Sequence, residues 1–217
     1  EKRNASVNIS HQPTVILSHD WKINNLSTLK SSFGYTFGEN INTGLDWYNA
    51  PDPRPDFYRK LPSYIDDPAI AQMVADQLRN NETLRQIQWD DLYEINLNSF
   101  ETIQNANGIT GSTYSGKRSK YILEERVADS RKMHISTNYN NSFSDNTQFS
   151  AGASFMKQKT DNFKRVKDLL GGEFYVDINQ YAEQDFADSL NAIQNDANNP
   201  NRILKEGDKF GYNYTSD

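Results

Sequence analysis

The protein has 217 residues, no cysteine and a formal net charge of −6 at pH 7. This length allows one or two domains, and the lack of cysteine excludes a disulfide framework and a thiolate metal site. The negative charge argues against a surface that binds nucleic-acid phosphates, and no stretch approaches the roughly 20 apolar residues of a membrane-spanning helix.

The first predicted element is a long antiparallel hairpin over residues 5–37. Odd positions are mostly apolar and even positions mostly polar, which is typical of a strand with two different faces. Both arms carry their apolar residues at odd positions. The turn that joins them must therefore contain an odd number of residues, and residues 24–26 form such a turn. The apolar residues are Val7, Ile9, Val15, Leu17, Trp21, Ile23, Leu29, Phe33, Tyr35 and Phe37.

The first arm of this hairpin is long for a globular protein. A strand over residues 5–23 would extend roughly 60 Å at ~3.3 Å per residue. An ordinary globular strand measures only about 20 Å. Even when tilted by about 45°, such a strand would cross a hydrocarbon layer of ~30 Å.

Residues 38–120 are predicted to form a long loop. Its segment 46–64 holds four prolines among aromatic residues, which favours rigid, extended backbone outside a β-ladder. Asp67 is suited to cap a helix and Pro68 to occupy its first position, so a helix is expected there, ending at Asn80.

Two further elements are predicted before this loop ends. A second short helix is expected within residues 83–98, where Ile87, Leu92 and Ile95 are apolar. Residues 105–116 are rich in Asn, Gly, Ser and Thr and are expected to form a flexible, turn-forming linker.

The two-residue period returns in residues 121–157 and predicts a second long hairpin, with its turn at residues 140–146. The apolar residues are again odd-numbered on both arms. Residues 158–217 are predicted to form a second long loop. Within it we expect a helix in residues 180–192 and a glycine- and aromatic-rich loop at residues 207–214.

Along the chain, two long hairpins with short turns therefore alternate with two long loops that contain predicted helices. Outer-membrane barrels show this asymmetry, and Trp21 and Tyr139 lie near the short turns, where an interfacial aromatic girdle would be placed. A soluble β domain also alternates in this way, so the pattern alone leaves both architectures open.

The loop sequences resemble one protein family. Residues 45–64 (LDWYNAPDPRPDFYRKLPSY) look like a signature loop of TonB-dependent outer-membrane receptors, in the nutrient-uptake branch that pairs with surface lipoproteins. Residues 87–93 (IQWDDLY), 168–172 (DLLGG) and 207–214 (GDKFGYNY) are similar to later segments of that family. The resemblance covers nearly the whole chain and keeps the order of the elements.

This resemblance implies that the 217 residues form one segment of a β-barrel domain, with hairpins 5–37 and 121–157 and extracellular loops 38–120 and 158–217. The fold class is then mainly β, or α+β if the segment is repacked in isolation. The expected location is the outer membrane. The expected partners are membrane lipid, a surface lipoprotein and the TonB complex through the full-length protein, and a glycan or peptide substrate. The alternative is a soluble, β-rich carbohydrate-binding module.

The first loop also supplies candidate ligand-binding residues. Planar aromatic rings beside charged hydrogen-bonding groups could bind a sugar or a peptide, although the same residues could instead brace the loop against its neighbours. The candidates are Trp47, Tyr48, Asp52, Arg54, Asp56, Tyr58 and Arg59.

Signs of catalysis are few. The sequence has no G-x-S-x-G, H-E-x-x-H or P-loop motif, and it implies no cofactor. His11 and His19 lie about 26 Å apart along an extended strand at ~3.3 Å per residue, so they cannot share a metal ion. The acidic pairs at residues 66–67 and 90–91 are better explained as helix caps. The prediction is therefore a protein that is not an enzyme and has no catalytic or metal-binding residues.

Overall fold

The computed structural model describes residues 3–144, 146–186, 189 and 191–217. The protein is mainly β, as predicted. In this described part, eight strands and three α-helices follow one another along the chain. They are β1 (Asn8–His11), β2 (Thr14–Lys22), β3 (Ser27–Trp47), α1 (Pro68–Asn80), α2 (Trp89–Asn98), β4 (Phe100–Gln104), β5 (Thr113–Lys117), β6 (Tyr121–Ser144), β7 (Thr147–Asp168), α3 (Gln180–Phe186) and β8 (Lys209–Ser216).

The main sheet has six strands in the order β1, β3, β6, β7, β8, and β2 also pairs with β3. The first hairpin has the predicted register, because Val15 pairs with Tyr35, Leu17 with Phe33 and Trp21 with Leu29. The backbone N–H of Ile23 donates to the carbonyl of Ser27 at 3.0 Å, which closes the predicted three-residue turn. Odd residues therefore share one face of the hairpin, as the parity argument requires.

The predicted end of this hairpin at residue 37 is wrong, because β3 continues to Trp47. Asn8 of β1 pairs with Asn42 and His11 with Glu39, in the same register as β2. Glycine, asparagine and threonine hide the alternation after residue 37, yet the partner strand extends far enough to pair with these residues.

The first arm is interrupted at Gln12 and Pro13 without a change of register. Pro13 has no backbone N–H and cannot donate to the ladder, although its carbonyl accepts from the N–H of Phe37 at 3.2 Å. Gly38 lies opposite this break with φ of +126°, and a Cβ there would collide with the carbonyl oxygen of His11. The interruption thus requires a glycine in the facing strand.

The second hairpin is also longer than predicted. Its turn does not occupy residues 140–146, because β6 continues to Ser144 and β7 starts at Thr147. The backbone N–H of Ser142 donates to the carbonyl of Leu26 at 2.9 Å, so residues that have the composition of a turn are held in the sheet.

Contacts between β6 and β7 join residues of like parity, as predicted. The hydroxyls of Ser130 and Thr160 are 3.0 Å apart, and Ser150 Oγ donates to Asn140 Oδ1 at 2.6 Å. Odd residues of the two strands therefore lie on one face of the sheet.

The last loop is shorter than the predicted range of 158–217. β7 continues to Asp168, and the predicted loop at residues 207–214 is instead part of β8, whose Thr215 hydroxyl donates to Asp161 of β7 at 2.6 Å. Of residues 207–214, only 209–214 belong to β8, since that strand begins at Lys209. Charged residues conceal the strand period in this region. The predicted helix over 180–192 is found as α3, which ends at Phe186, and residues 187, 188 and 190 of that prediction lie outside the described residues.

The predicted first helix is confirmed as α1. The carboxylate of Asp67 accepts from the backbone N–H groups of Ala69 at 2.8 Å and Ile70 at 3.3 Å, and Pro68 opens the helix. The second predicted helix is confirmed as α2. No helix in the described part of the chain is long and apolar enough to cross a bilayer.

The turn-forming linker predicted at residues 105–116 is confirmed in part. Its first residues form turns, in which two asparagines, Asn105 (φ 53°) and Asn107 (φ 55°), adopt the left-handed conformation that asparagine tolerates. Its last residues belong instead to β5, which begins at Thr113 and pairs with β4.

The chain groups into two compact units. The ribbon unit contains Glu1–Gly44, Glu125–Arg165 and Tyr212–Asp217. The core unit contains Leu45–Glu124 and Val166–Gly211. All three clusters of buried apolar side chains belong to the core unit and include Ile122, Val166, Leu170, Phe174, Val176 and Leu204.

A buried amide ties α2 into the core unit. Asn96 has no exposed surface and makes five hydrogen bonds to the backbone. It donates to the carbonyls of Tyr121, Leu169 and Leu170 and accepts from the N–H groups of Lys120 and Tyr121. This side chain satisfies backbone groups that would otherwise be buried without partners.

Candidate functional site

The proline-rich loop of the core unit contains an ion pair with well-defined geometry. The Arg54 side chain donates to both carboxylate oxygens of Asp52, with Nε–Oδ1 at 2.9 Å and Nη2–Oδ2 at 2.5 Å. Lys60 Nζ donates to the carbonyls of Asp52 at 2.6 Å and Arg54 at 3.1 Å. The guanidinium also lies 5.4 Å from the centre of the Trp47 ring. The loop is therefore held in one shape by its own charged groups.

Arg54 also sets the electrostatics of this loop. Burial by itself would raise the pKa of Asp52, but the hydrogen bonds from Arg54 and the positive charges of Arg54 and Lys60 hold that pKa below its ordinary value. Asp52 is therefore a carboxylate at neutral pH. The Asp56 side chain is exposed and adds negative charge near Arg54.

The tip of the loop presents aromatic rings to solvent. The Tyr58 ring lies edge-on to Phe57 at 4.8 Å and to Tyr64 at 5.2 Å, and Arg59 Nε donates to the Tyr58 hydroxyl at 2.9 Å. Tyr58 and Tyr64 are about half exposed. Exposed rings beside a guanidinium can stack on a planar or sugar ligand.

Tyr48 lies apart from the other candidates, buried at the base of the loop. The Arg118 guanidinium lies 3.8 Å from the centre of its ring, and its hydroxyl donates to Glu183 of α3 at 2.5 Å. Burial, followed by the hydrogen bond to Glu183, raises the pKa of Tyr48 to about 12. Tyr48 thus anchors the loop to α3.

Arg118 and Lys120 share a carboxylate in the same region. Glu101 accepts from Arg118 Nη1 at 3.0 Å and also pairs with Lys120 Nζ. Burial alone would raise the pKa of Glu101, but the hydrogen bonds from Lys120 and Arg118 lower it. The cluster is a partly buried set of opposite charges, with Arg118 buried and Glu101 partly exposed, that braces the core unit.

Of the seven predicted binding residues, the structure brings together Trp47, Asp52 and Arg54 in one group and Tyr58 and Arg59 in another. It also shows a feature that the sequence analysis missed. An open groove of about 670 Å³ lies between the loop base and α2, lined by Asn49, Pro51, Asp91, Glu94, Asn98 and Lys120. The i, i+3 spacing of Asp91 and Glu94 on a helix is the signal that could have indicated it.

The ribbon unit buries Val127 and Phe163 but leaves many of its large apolar residues exposed. Val15, Leu17, Trp21 and Phe155 are between 52% and 64% exposed. We call the odd-numbered apolar face of these strands the apolar band, and it consists of Val15, Leu17, Trp21, Ile23, Leu29, Phe33, Tyr35, Met133, Ile135, Tyr139, Phe149 and Phe155.

Side-chain contacts align this band across the strands. Ser32 and Ser136 approach to 2.7 Å between β3 and β6, and Ser130 and Thr160 approach to 3.0 Å between β6 and β7. The Ser32–Ser136 contact places Met133 beside Tyr35, which in turn pairs with Val15 of β2. Along β2 and the residue that follows it, the band covers nine residues, from Val15 to Ile23, which matches the roughly 9–11 residues of a membrane-crossing strand.

The opposite face of the same strands is polar. Ser18, Asp20, Lys30, Ser32, Ser136, Asn138 and Ser154 line a shallow depression there. Ile16 and Met156 are exceptions, since they are even-numbered and 67% and 58% exposed. Within the apolar band, the hydroxyls of Ser31 and Thr137 satisfy each other at 3.0 Å. The sheet thus has one mainly polar face and one mainly apolar face.

Comparison of the sequence with models of known protein families gives no match, and comparison with curated protein sequences gives none either. Among the residues that the structure describes, no group of three or more His, Asp or Glu side chains is arranged to hold a metal ion.

Proposed function

We propose that this chain is part of a TonB-dependent outer-membrane receptor that imports glycans, peptides or other nutrients into the periplasm. In this proposal the ribbon unit is a section of the barrel wall and the core unit is formed by extracellular loops. The complete receptor engages a surface lipoprotein and the TonB complex. The chain performs no covalent chemistry.

The observation that carries the proposal is the exposed apolar band. Burying one large apolar side chain stabilises a fold by about 1.5–3 kcal/mol, so a water-soluble sheet normally covers such a face. Leu17, at 64% exposed, and Phe155, at 55% exposed, lie in register on this face. A row of polar residues, His19, Ser31 and Thr137, crosses this face, and the rows on either side of it are apolar. Hydrocarbon is the solvent that suits a mainly apolar face of this height.

The loop geometry supports a binding role at the extracellular side. Arg54 is held over Trp47 by Asp52, and Tyr58 and Tyr64 present half-exposed rings. Preorganised aromatic and charged groups of this kind suit a polar ligand with apolar faces, such as a glycan or a peptide.

Single cysteines test which solvent each face meets, because the natural chain has none. Nitroxide labels are attached to Val15→Cys, Leu17→Cys and Phe155→Cys and to the even-numbered neighbours Ser18→Cys, Asp20→Cys and Ser154→Cys. In phospholipid vesicles, we expect dissolved oxygen to relax the nitroxides at the odd-numbered positions more strongly, because oxygen concentrates in the hydrocarbon. A water-soluble nickel chelate should relax the nitroxides at the even-numbered positions more strongly. Collision rates should therefore alternate with a period of two.

The competing function, a soluble carbohydrate-binding module, gives a different result. Its odd-numbered labels would be shielded from both relaxing agents, because a second protein layer would cover them, and the protein would stay in solution when vesicles are sedimented. Either observation would rule out the receptor assignment.

A further inference from the structure

Three cations lie on the same face of the sheet as the apolar band, at the edge of the band that is farther from the two hairpin turns. Arg131 precedes Met133 on β6, and Lys157 and Lys159 follow Phe155 on β7. All three are odd-numbered and exposed, and the side chains of Arg131 and Lys159 are 61% and 51% accessible. We call this group the cation triangle.

The strand register brings these charges together. Since Ser130 contacts Thr160 across β6 and β7 at 3.0 Å, the next pair along the ladder is Arg131 with Lys159. Directly opposed residues have Cβ atoms roughly 5 Å apart. Lys157 lies two residues from Lys159, about 7 Å along the strand. Three positive charges thus share one small area of a protein whose net charge is −6.

Like charges directly opposed across a sheet are destabilising unless something compensates them. Two carboxylates lie nearby, but both are on the side away from the band. Asp129 is 3.7 Å from Arg131 and Asp161 is 3.9 Å from Lys159, near the limit of an ion pair. Lys157, the cation closest to the band, forms no ion pair within the described residues. An anion between the three cations would complete the site.

The surroundings indicate what carries that anion. Phe37 is 42% exposed, Ile135 43% and Phe155 55%, and these three odd-numbered residues lie close to the triangle on the same face of the sheet. A free phosphate ion would make no use of these apolar side chains. A ligand with a phosphate head and hydrocarbon tails would contact both the cations and the apolar side chains. Its head would pair with the cations while its tails cover the apolar band.

We propose that the cation triangle binds the phosphate group of an anionic membrane lipid whose acyl chains lie along the apolar band. The proposal rests on the proposed membrane location of the ribbon unit. It names a partner for the wall of the receptor rather than for its transport path. Arg131 contributes two parallel donors to phosphate oxygens, and the lysines contribute point charges.

The test compares binding of the protein to vesicles of phosphatidylcholine alone and to vesicles containing one-fifth phosphatidylglycerol, measured by flotation. A cation near an anionic surface contributes about 1 kcal/mol, or roughly fivefold in affinity. We expect phosphatidylglycerol to tighten binding of the natural chain, and R131Q/K157Q/K159Q to lose roughly 100-fold of that gain. The single variant K159Q should lose roughly fivefold.

Lys132→Gln is the matched control, since it removes one positive charge from the even face of the same strand. It should keep nearly all of the phosphatidylglycerol gain. An equal loss in K132Q and K159Q would mean that net charge, not the triangle, decides the affinity, and would overturn the proposal.

Two further outcomes distinguish failure of this lipid site from failure of the proposed receptor function on which it rests. If the protein binds phosphatidylcholine vesicles but gains nothing from phosphatidylglycerol, the triangle has no lipid and the membrane assignment stands. If it binds neither kind of vesicle, both fail. Inorganic phosphate at matched ionic strength should not displace the protein from phosphatidylglycerol vesicles, and displacement would assign the site to free phosphate.

Discussion

The two units of this protein use the same kinds of side chain in opposite ways. In the core unit Phe174 and Ile122 have no exposed surface, and each buried polar group of Asn96 is hydrogen-bonded. In the ribbon unit Phe143 is 66% exposed and Ile135 43% exposed. The core unit therefore gains most from side-chain packing, whereas the ribbon unit, in which few apolar side chains such as Val127 and Phe163 are buried, depends more on its backbone ladders.

Strand β6 shows the difference within one element. Its residues 121–125 are buried on both faces, while Ile135 and Phe143 near its end are exposed. The apolar side chains of the second part stabilise the protein only when an apolar environment covers them. Alternation alone therefore does not reveal where the hydrophobic free energy is gained.

The largest expected effect comes from truncating a core aromatic ring. Phe174→Ala should lower the free energy of unfolding by about 3–5 kcal/mol, because Phe174 is fully buried and packs edge-on to Tyr114 at 5.0 Å. Phe143→Ala, the matched exposed ring, should change it by less than about 0.5 kcal/mol in water. Urea unfolding followed by near-ultraviolet circular dichroism measures both. Equal losses would contradict the distinction between the units.

A somewhat smaller effect is expected when the buried amide is removed. Asn96→Leu leaves three carbonyls and two N–H groups without their partner, and should cost about 3 kcal/mol. Asn98→Leu on the same helix is the control, because Asn98 is exposed and donates only to the carbonyl of Glu94. Urea unfolding should leave the control within about 0.5 kcal/mol of the natural chain. A mild effect at Asn96 would show that water replaces the amide.

The third prediction concerns the backbone of the ribbon unit. Gly38→Ala should destabilise the pairing of β1 with β3 by about 1–3 kcal/mol, because its φ of +126° is unfavourable with a side chain and the new Cβ meets the carbonyl of His11. Gly44→Ala, where nothing lies within 4 Å of the added Cβ, should be nearly neutral. Hydrogen exchange of the amides in residues 39–42 reports the difference. Unchanged protection in Gly38→Ala would mean that the glycine is dispensable.

The smallest effect is a pH dependence in the proline-rich loop. A carboxyl group whose pKa is lower in the folded state stabilises the fold above its unfolded pKa of about 3.9, and this contribution is lost as the pH falls through the folded value. Arg54→Gln should raise the pKa of Asp52 and remove this acid-dependent stability, which we expect to be below about 1 kcal/mol because Arg54 is half exposed. NMR titration of the Asp52 carboxyl carbon measures the shift.

Arg59→Gln serves as the control for this titration, since Arg59 donates to Tyr58 and not to Asp52. It should leave the Asp52 titration unchanged. An equal shift in both variants would indicate a general charge effect and would contradict the role assigned to the Arg54 ion pair.

Local signals in the sequence were sufficient for several elements. The cap by Asp67, the helix start at Pro68 and the odd-to-odd register of the first hairpin depend on neighbours a few residues apart, and all three were predicted correctly. The boundaries that failed, at residues 37, 140 and 207, lie where Gly, Asn and charged residues occupy strands. Those residues are held by partner strands distant in sequence.

The candidate site divides in the same way. The grouping of Asp52 with Arg54 and of Tyr58 with Arg59 follows from their proximity along the chain. Burial of Tyr48 could not be predicted, because Arg118 and Glu183, which surround it, are 70 and 135 positions away. The groove between residues 49–51 and α2 likewise exists only once the core unit is packed.

The order of residues by itself determined the parity of the strands and hence the two faces of the sheet, because side chains alternate with a period of two in any extended backbone. Only the tertiary structure decided which apolar residues are buried and which are left on the surface. Burial depends on what lies against a face, and for Phe174 that is a set of side chains drawn from β5 and from the segment that follows β7.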